Sequence, residues 1–516
     1  MFKLFYHDYI FCRLICLFCF LTINIIAVNA QDLPTESIDS IDAVETLPAK
    51  TTYYIEAGSY GTKRESDPPN YVRNAGKLGL NTKSDLSWLN LGLDTRARGE
   101  WRHNDIRRPE SFSDDFPLLL RQRAYFGVTN ILDPLRFAVE FEDARRINGN
   151  YPLDNRDVNQ TELIQGYVEL YFKKPLGTDA LGNNRPISIR FGRMAFEFLD
   201  RRLIGLNQWR NTTNNFTGLK LALGQDKNDF QFDALVLRPI IRDIDNWDKT
   251  DKDRLFTAVI GHWRKWSEVV TIEPYYMGLK QSATDNTNNR ARNIHGVGLR
   301  LYGWVKDSGV NYDVNAMYQF GEDNQQQQQA YAVMSEVGYT ILSSKLKPRF
   351  SAFLGYVSGD KNSNDNKNNR FERYFGFARP WSADDYIVME NIITPKLKVE
   401  FQTKIKEMTV RFDGGYSFYW LASKTDRFNN LLNGSNNRDV TGNSGNALGH
   451  GLDFRTRFSP TPYIDANIGY SHFTNGEFVQ NSQFAANGET ANSSDFVYIE
   501  LSFNVFDLVK SIHVKK

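Results

Sequence analysis

No cysteine follows residue 19 of this 516-residue sequence; the three present are Cys12, Cys16 and Cys19. Once that start is set aside, disulfides, thiol catalysis and cysteine-ligated metal are excluded. Net charge is equally scarce. Lys+Arg number 62 and Asp+Glu 61, so the formal charge is +1 and no global field attracts nucleic acid. Past residue 30 no apolar run reaches the length of a membrane-spanning helix, which excludes a helical membrane protein. Catalytic signatures are missing as well. The seven histidines are scattered without zinc-type pairing, and no Gly-x-Ser-x-Gly or phosphate-binding loop appears. Paired acids such as Asp384 and Asp385 fall in loop-like sequence. The expectation is a protein that is not an enzyme, without cofactor or metal, although a hydrolase stays among the alternatives.

What is present begins with a targeting segment. Lys3 and Arg13 supply positive charge, Leu14 to Val28 is almost wholly apolar, and Val28-Asn29-Ala30 offers small residues for cleavage before Gln31. Residues 1–30 therefore read as a signal peptide. Residues 31–85 are polar and rich in Ser, Thr, Asp and Pro, and read as a loosely ordered lead-in placed to occupy a periplasmic mouth.

From Leu86 the pattern alternates with period two, as a strand with one apolar and one polar face requires. In LSWLNLGLDTRARGEW (86–101), Leu89, Leu91, Leu93, Thr95 and Ala97 oppose Asn90, Asp94, Arg96, Arg98 and Glu100. Arg121, Arg123 and Tyr125 oppose Ala124, Phe126 and Val128; Arg136, Glu140 and Glu142 oppose Leu135, Phe137, Val139 and Phe141. Gln165, Tyr167, Glu169 and Tyr171 oppose Ile164, Val168, Leu170 and Phe172. Asn311, Asp313, Asn315 and Gln319 oppose Tyr312, Val314, Ala316, Tyr318 and Phe320, and Glu500, Ser502 and Asn504 oppose Val497, Ile499, Leu501, Phe503 and Val505. Each segment is about ten residues long, enough for a tilted strand to cross a bilayer. Further candidates begin near Ile187, Phe216, Phe230, Leu255, Val269, Ile294, Tyr331, Phe350, Leu397, Val410, Leu448 and Ile464. The total is about eighteen strands, within two either way.

Loops rich in Asn, Asp and Gly separate them, notably 283–293, 359–369, 427–446 and 474–494; NQQQQQ (324–329) reads as a solvated turn. Alternating short and long connections fit an outer-membrane barrel. A soluble β-sandwich would also give one apolar face per strand, but here one polarity rule persists from Leu86 to Phe506. The fold expected is all-β, a transmembrane antiparallel β-barrel over 86–516, in the outer membrane, as a monomer. The stretch 358–369 alternates acid and amide oxygens as calcium loops do, yet lacks their glycine and final glutamate, and reads as a hydrated loop.

RFGRMAFEFLDRRLIGLNQWRN (190–211) places arginines among bulky apolar residues. An arginine facing lipid at mid-depth costs about 2–4 kcal/mol, so these must face the lumen or a loop folded into it. An arginine-lined constriction favours anions, because guanidinium forks replace water around carboxylates. Arg190, Arg193, Arg201 and Arg202 are the first candidates for pore lining and substrate binding, with pairing to Glu197, Asp200 or strand acids as the alternative. Arg96, Arg98, Arg121 and Arg123 extend a basic ladder; Lys220, Arg300, Arg411, Arg455 and Arg457 follow by the same facing argument. Asp94, Glu140, Glu142 and Glu169 are the expected countercharges.

The sequence resembles the outer-membrane alginate export porins over most of residues 86–506. The resemblance rests on LDTRARGEW (93–101), QGYVEL (165–170), RFGR (190–193), DRRLIGLNQWRN (200–211), FTGLKL (216–221), GYVSGD (355–360), FYWLASKTD (418–426), GHGLDFRTRFSP (449–460) and IGYSHFTNGEF (468–478), in the family's order. It implies an eighteen-stranded barrel with an arginine-rich conduit for an acidic polysaccharide. Met194, Asn215 and Thr217 stand where similar proteins tend to have Gln, Arg and Asp. The leading expectation is passive transport of an anionic sugar polymer or oligomer, alginate-like, with outer-membrane lipid around it, and periplasmic export or uptake partners. The rivals are a general small-solute porin and an adhesive barrel acting through its Asn-rich loops.

Overall fold

A computed structural model describes residues 51–513 apart from 59–63, 80–84, 108–113, 266, 306, 407, 430–436 and 483–491. The expected signal peptide and the first part of the lead-in lie outside these residues.

Twenty-one strands form one sheet. Three of them, Val72–Asn74, Lys249–Thr250 and Lys367–Asn368, are only two or three residues long. The other eighteen run antiparallel, each paired to the next along the chain. The first, Leu89–His103, also pairs with the last, Ser493–Asn504, bringing Arg98 opposite Glu500 and closing the barrel. Closure leaves no edge strand with unsatisfied backbone groups, the condition for strands to cross lipid. One end carries mostly short turns, down to 462–463, with 173–186 its longest; the other carries 104–117, 195–215, 358–391 and 421–446. Strand starts fall within a few residues of the expected ones, at Ile187, Phe216, Phe230, Arg254 and Ile464 among others.

The alternation decides which face meets lipid. Val168, Phe191, Val236, Leu354, Leu397, Phe454, Ile499 and Leu501 are exposed on the outer wall, an apolar surface far larger than a soluble monomer tolerates. Stacked pairs Tyr331–Tyr356 and Phe418–Trp420 sit toward the long-loop end, and Tyr339 and Phe350 toward the short-turn end, as aromatic girdles do.

Three expectations need correction. Ile164 faces inward and is buried, because the ladder slips at Glu140/Phe141 and turns it away from lipid. Of NQQQQQ, only Asn324 and Gln325 form the turn; Gln326 starts the strand Gln326–Thr340. The lumen, finally, is not ionic throughout. The inward faces between Phe230 and Val357 carry Leu235, Leu237, Phe256, Ile260, Met277, Leu279, Met317 and Met334, joined in one buried cluster. Two long loops fold down onto them. Loop 195–215 contributes Phe196, Phe198, Leu203 and Ile204, and loop 358–391 contributes Phe371, Tyr374, Trp381 and Tyr386. The loops pair backbone to backbone, with the Phe375 N–H donating to the Leu203 carbonyl at 3.0 Å. Only glycine fits at 376, since a Cβ there would lie 1.7 Å from the Arg202 carbonyl oxygen.

The lead-in enters from the short-turn end. The Tyr53 N–H bonds to the Lys227 carbonyl, the Trp304 indole N–H to the Glu56 carbonyl at 2.9 Å, and Val72–Asn74 pairs with Asn90–Gly92. Residues 64–71 thus lie against the inner wall, where Asp67 meets Arg190 at 2.8 Å and the Tyr71 hydroxyl donates to Glu140 at 2.7 Å.

Candidate functional site

Between the folded-in loops and the opposite wall remains a cavity of about 620 Å³. Its wall side comes mainly from five consecutive strands whose positions there are, Phe496 apart, polar: Lys396, Lys398, Glu400 and Gln402; Arg411 and Asp413; Asp453, Arg455 and Arg457; Asn467 and Ser471; Phe496, Tyr498 and Glu500, with Glu336 and Phe353 of two further strands beside them. Its inner side comes from Arg201, Arg202, Gln208 and Trp209 of one loop, Phe377 and Arg379 of the other, and Glu56, Arg64 and Asn70 of the lead-in.

Cations outnumber acids there. Arg455 and Arg457 share one carboxylate, Asp413, at 2.9 and 3.0 Å. Arg411 stands directly across the ladder from Arg457 and has no carboxylate partner among the described residues. Like charges directly opposite destabilise a sheet, so this arrangement is one a bound anion relieves. The Arg455 and Arg457 side chains keep 22% and 25% of their surface, against 2% for Arg98; a solute can reach the former and not the latter. Trp209 presents an aromatic surface between two guanidiniums, Arg98 at 3.9 Å and Arg379 at 3.6 Å.

The candidate residues divide into two groups. Arg201, Arg202, Arg411, Arg455 and Arg457 line the cavity, but Arg201 and Arg202 are buried and also take up the alternative pairing, with Glu197 at 3.8 Å and Asp200 at 3.0 Å. The rest face inward but brace. Arg96 donates to the carbonyls of Gln208 and Arg210, both at 2.7 Å, and Arg121 reaches the same two more loosely. Arg98 binds Glu500 at 3.2 Å and Glu100 at 2.8 Å. The basic ladder therefore holds the carbonyl end of loop 195–215. Arg123 pairs with Asp94 at 3.2 Å. Arg190 is shared by Glu169 and Asp67, Lys220 approaches Asp67 at 3.8 Å, and Arg193 meets Glu162 at 2.5 Å. Arg300 bridges Glu273 and Asp313. Of the expected countercharges, Glu169 and Asp94 pair with arginines. Glu140 accepts instead from Tyr71 and Gln165, and Glu142 from the Thr213 amide and hydroxyl, because loop and lead-in groups reach them first. Met194 is buried in the apolar cluster and Asn215 donates to the Ile164 carbonyl; neither borders the cavity. Lys396, Lys398 and Arg379 were not among the candidates. The alternation in KLKVEFQ marks the two lysines as inward; no local signal marks Arg379, which is a loop residue.

Loop 195–215 and the lead-in meet at a titratable contact. Glu197 accepts from the Glu65 N–H at 2.8 Å and lies 3.8 Å from Arg201. Burial, outweighing Arg201, pushes its carboxyl from near 4.5 up to about 7. The docked state thus retains a proton that a released loop loses. Docking weakens as pH rises from about 4.5 to about 7 and is level above that. Protease cleavage within 64–79 is expected to accelerate across this window and to lose its pH dependence in Glu197→Gln; a flat wild-type profile refutes the coupling.

A family model described as alginate export matches residues 87–492. Among solved structures the chain is similar to Pseudomonas aeruginosa OccK5 (OpdH), at 10% identity and TM-score 0.51, covering 80% of this chain and 97% of that one. Acinetobacter baumannii OccAB1 gives 10% identity and TM-score 0.51, covering 83% and 99%. The outer membrane protein OprD from Pseudomonas aeruginosa gives 10% identity and TM-score 0.49, covering 80% and 93%. At such identities the likeness is one of fold. No curated protein matches the chain.

Proposed function

The chain belongs to the alginate export family, and from that premise we propose that this outer-membrane β-barrel porin passes an anionic polysaccharide or its oligomers, alginate-like, by diffusion through the cavity described above. One observation carries the reading: Arg455 and Arg457 converge on a single carboxylate, Asp413, with Arg411 directly across the ladder from Arg457, on a solvent-reachable wall. Guanidinium forks match carboxylates two bonds at a time, and a uronate chain offers one carboxylate per sugar. Family and fold are those of a transport channel, and no group of His, Cys, Asp and Glu suited to a metal occurs among the described residues.

Planar-bilayer recording tests the reading. The wild-type channel is expected to prefer anions and to be blocked by oligouronates from either side. The double variant Arg455→Ala/Arg457→Ala is expected to lose most of the reversal-potential shift and to weaken block about tenfold, the equivalent of 1.4 kcal/mol. An unselective wild-type channel that oligouronates do not block would instead be the general porin.

A further inference from the structure

Loops 148–158, 195–215, 242–253 and 358–391 come together at the long-loop mouth, and each brings an arginine. The Asn155 amide donates to the Arg242 carbonyl at 3.1 Å, the Thr212 hydroxyl to the Arg156 carbonyl at 3.0 Å, and Arg242 itself to Asn214 Oδ1 at 2.6 Å. Asn214 donates in turn to the Gly205 carbonyl, and the Gly205 N–H to the Phe375 carbonyl at 3.3 Å, two residues from Arg373. The mouth is therefore built by hydrogen bonds between loops, not by chance proximity of side chains.

Its cations are not balanced. Arg156 pairs with Asp154. Among the described residues Arg242 binds only neutral oxygens, of Asn214 and Thr213. Arg210 and Arg373 make no side-chain hydrogen bond or ion pair among the described residues. The nearby acids are engaged elsewhere: Glu372 by Arg292, Glu390 by Arg427, and Asp248 by Asn159 and the Asp243 amide. Asp385 faces Arg210 from the same small cavity without forming an ion pair. All three arginines are half-buried. Burial, then the charges of Arg242 and Arg156, pull Arg210 down to about 9; burial likewise lowers Arg373 and Arg242. Guanidiniums held together with no acid in ion-pair contact raise the energy of the free protein, and an oxyanion placed among them lowers it.

We propose that Arg210, Arg242 and Arg373 form a receptor for one oxyanion, a carboxylate or sulfate carried by an acidic saccharide, at the outward mouth and apart from the main cavity. The inference deepens the reading of the channel as one for anionic glycans: it names where such a chain is held before or after passage. Trp209 borders both the main cavity and the small cavity at Arg210.

Binding of a galacturonate trimer to the purified full chain, measured by calorimetry in the Arg455→Ala/Arg457→Ala background, isolates the mouth. The background protein is expected to retain binding. Adding Arg210→Gln/Arg373→Gln is expected to weaken it at least about tenfold, roughly the worth of one lost charge-assisted pair. Arg210→Lys/Arg373→Lys, which keeps the charge but not the fork, should fall between. Heat-modifiable mobility on gels confirms that each barrel is closed. Sodium sulfate should displace the trimer. Equal affinity in the glutamine variant, or failure of sulfate to compete, overturns the receptor. Loss of all binding in the background alone assigns the trimer to the cavity and overturns it too, while leaving the channel reading intact.

Discussion

A chain lacking residues 51–78 is expected to conduct several times more current than the full chain. The segment enters from the short-turn end and occupies lumen that the eighteen strands enclose without its help. Its hold combines the buried Tyr71, Ala75 and Leu78 with separate polar contacts: Asp67 with Arg190 and Lys220, Arg64 with Asp226, Tyr71 with Glu140, and Glu65 with Glu197 and Gln208. Such contacts contribute about 1 kcal/mol each when solvent reaches them and about 1.5–3 when they are charge-assisted and buried. The segment adds only three ladder residues, Val72–Asn74, at the end of one strand, so its loss leaves barrel closure untouched. Removal uncovers Arg123, Arg190 and Lys220 to the lumen, and the larger current should also be more anion-selective. Single-channel recording reads both quantities. Unchanged conductance from a barrel that still shifts on heating would mean that the segment does not limit flow.

Replacing Arg300 by alanine is expected to destabilise the barrel by about 3–5 kcal/mol, the usual penalty for removing one partner of a buried ion network. Arg300 is held by Glu273 at 3.0 Å and by both oxygens of Asp313, and Glu273 also receives His262 at 2.7 Å. Without the guanidinium, Glu273 stays buried beside a histidine as its sole strong partner, and Asp313 loses both of its arginine bonds. The melting temperature of the detergent-solubilised barrel should drop, while the reversal potential stays at the wild-type value because Arg300 does not border the cavity. Arg457→Ala should do the reverse: little loss of stability and a marked shift in selectivity. Equal effects of the two substitutions on selectivity would erase the division between bracing and lining arginines.

That division was only partly legible in the chain. Alternation assigns a face, and it assigned Arg96, Arg190, Arg300 and Arg455 alike to the inside. It does not say what else occupies the inside. Arg96 and Arg121 are spent on carbonyls of a loop more than eighty residues further along, at Gln208 and Arg210, and no local pattern encodes that distance. A trace of the apolar plug was nevertheless present. In FQFDALVLRPII (230–241) both faces carry large apolar side chains, with Leu235 and Leu237 turned inward and Val236 outward. A stave oily on both sides must meet lipid on one and a packed core on the other. The polar lead-in was readable as extended sequence. Its insertion depends on Asp67 finding Arg190 and on Tyr71 finding Glu140.

The amino-acid order by itself determined a closed antiparallel barrel, its outer apolar belt, the number and approximate places of its strands and the inward direction of its arginines. These follow from period-two alternation, which is local and which water, lipid and backbone hydrogen bonding jointly enforce. Only the tertiary structure decided which of those arginines a passing anion can touch. That choice depends on where two long loops and the lead-in come to rest inside the barrel, and those resting places are set by contacts between residues distant in sequence.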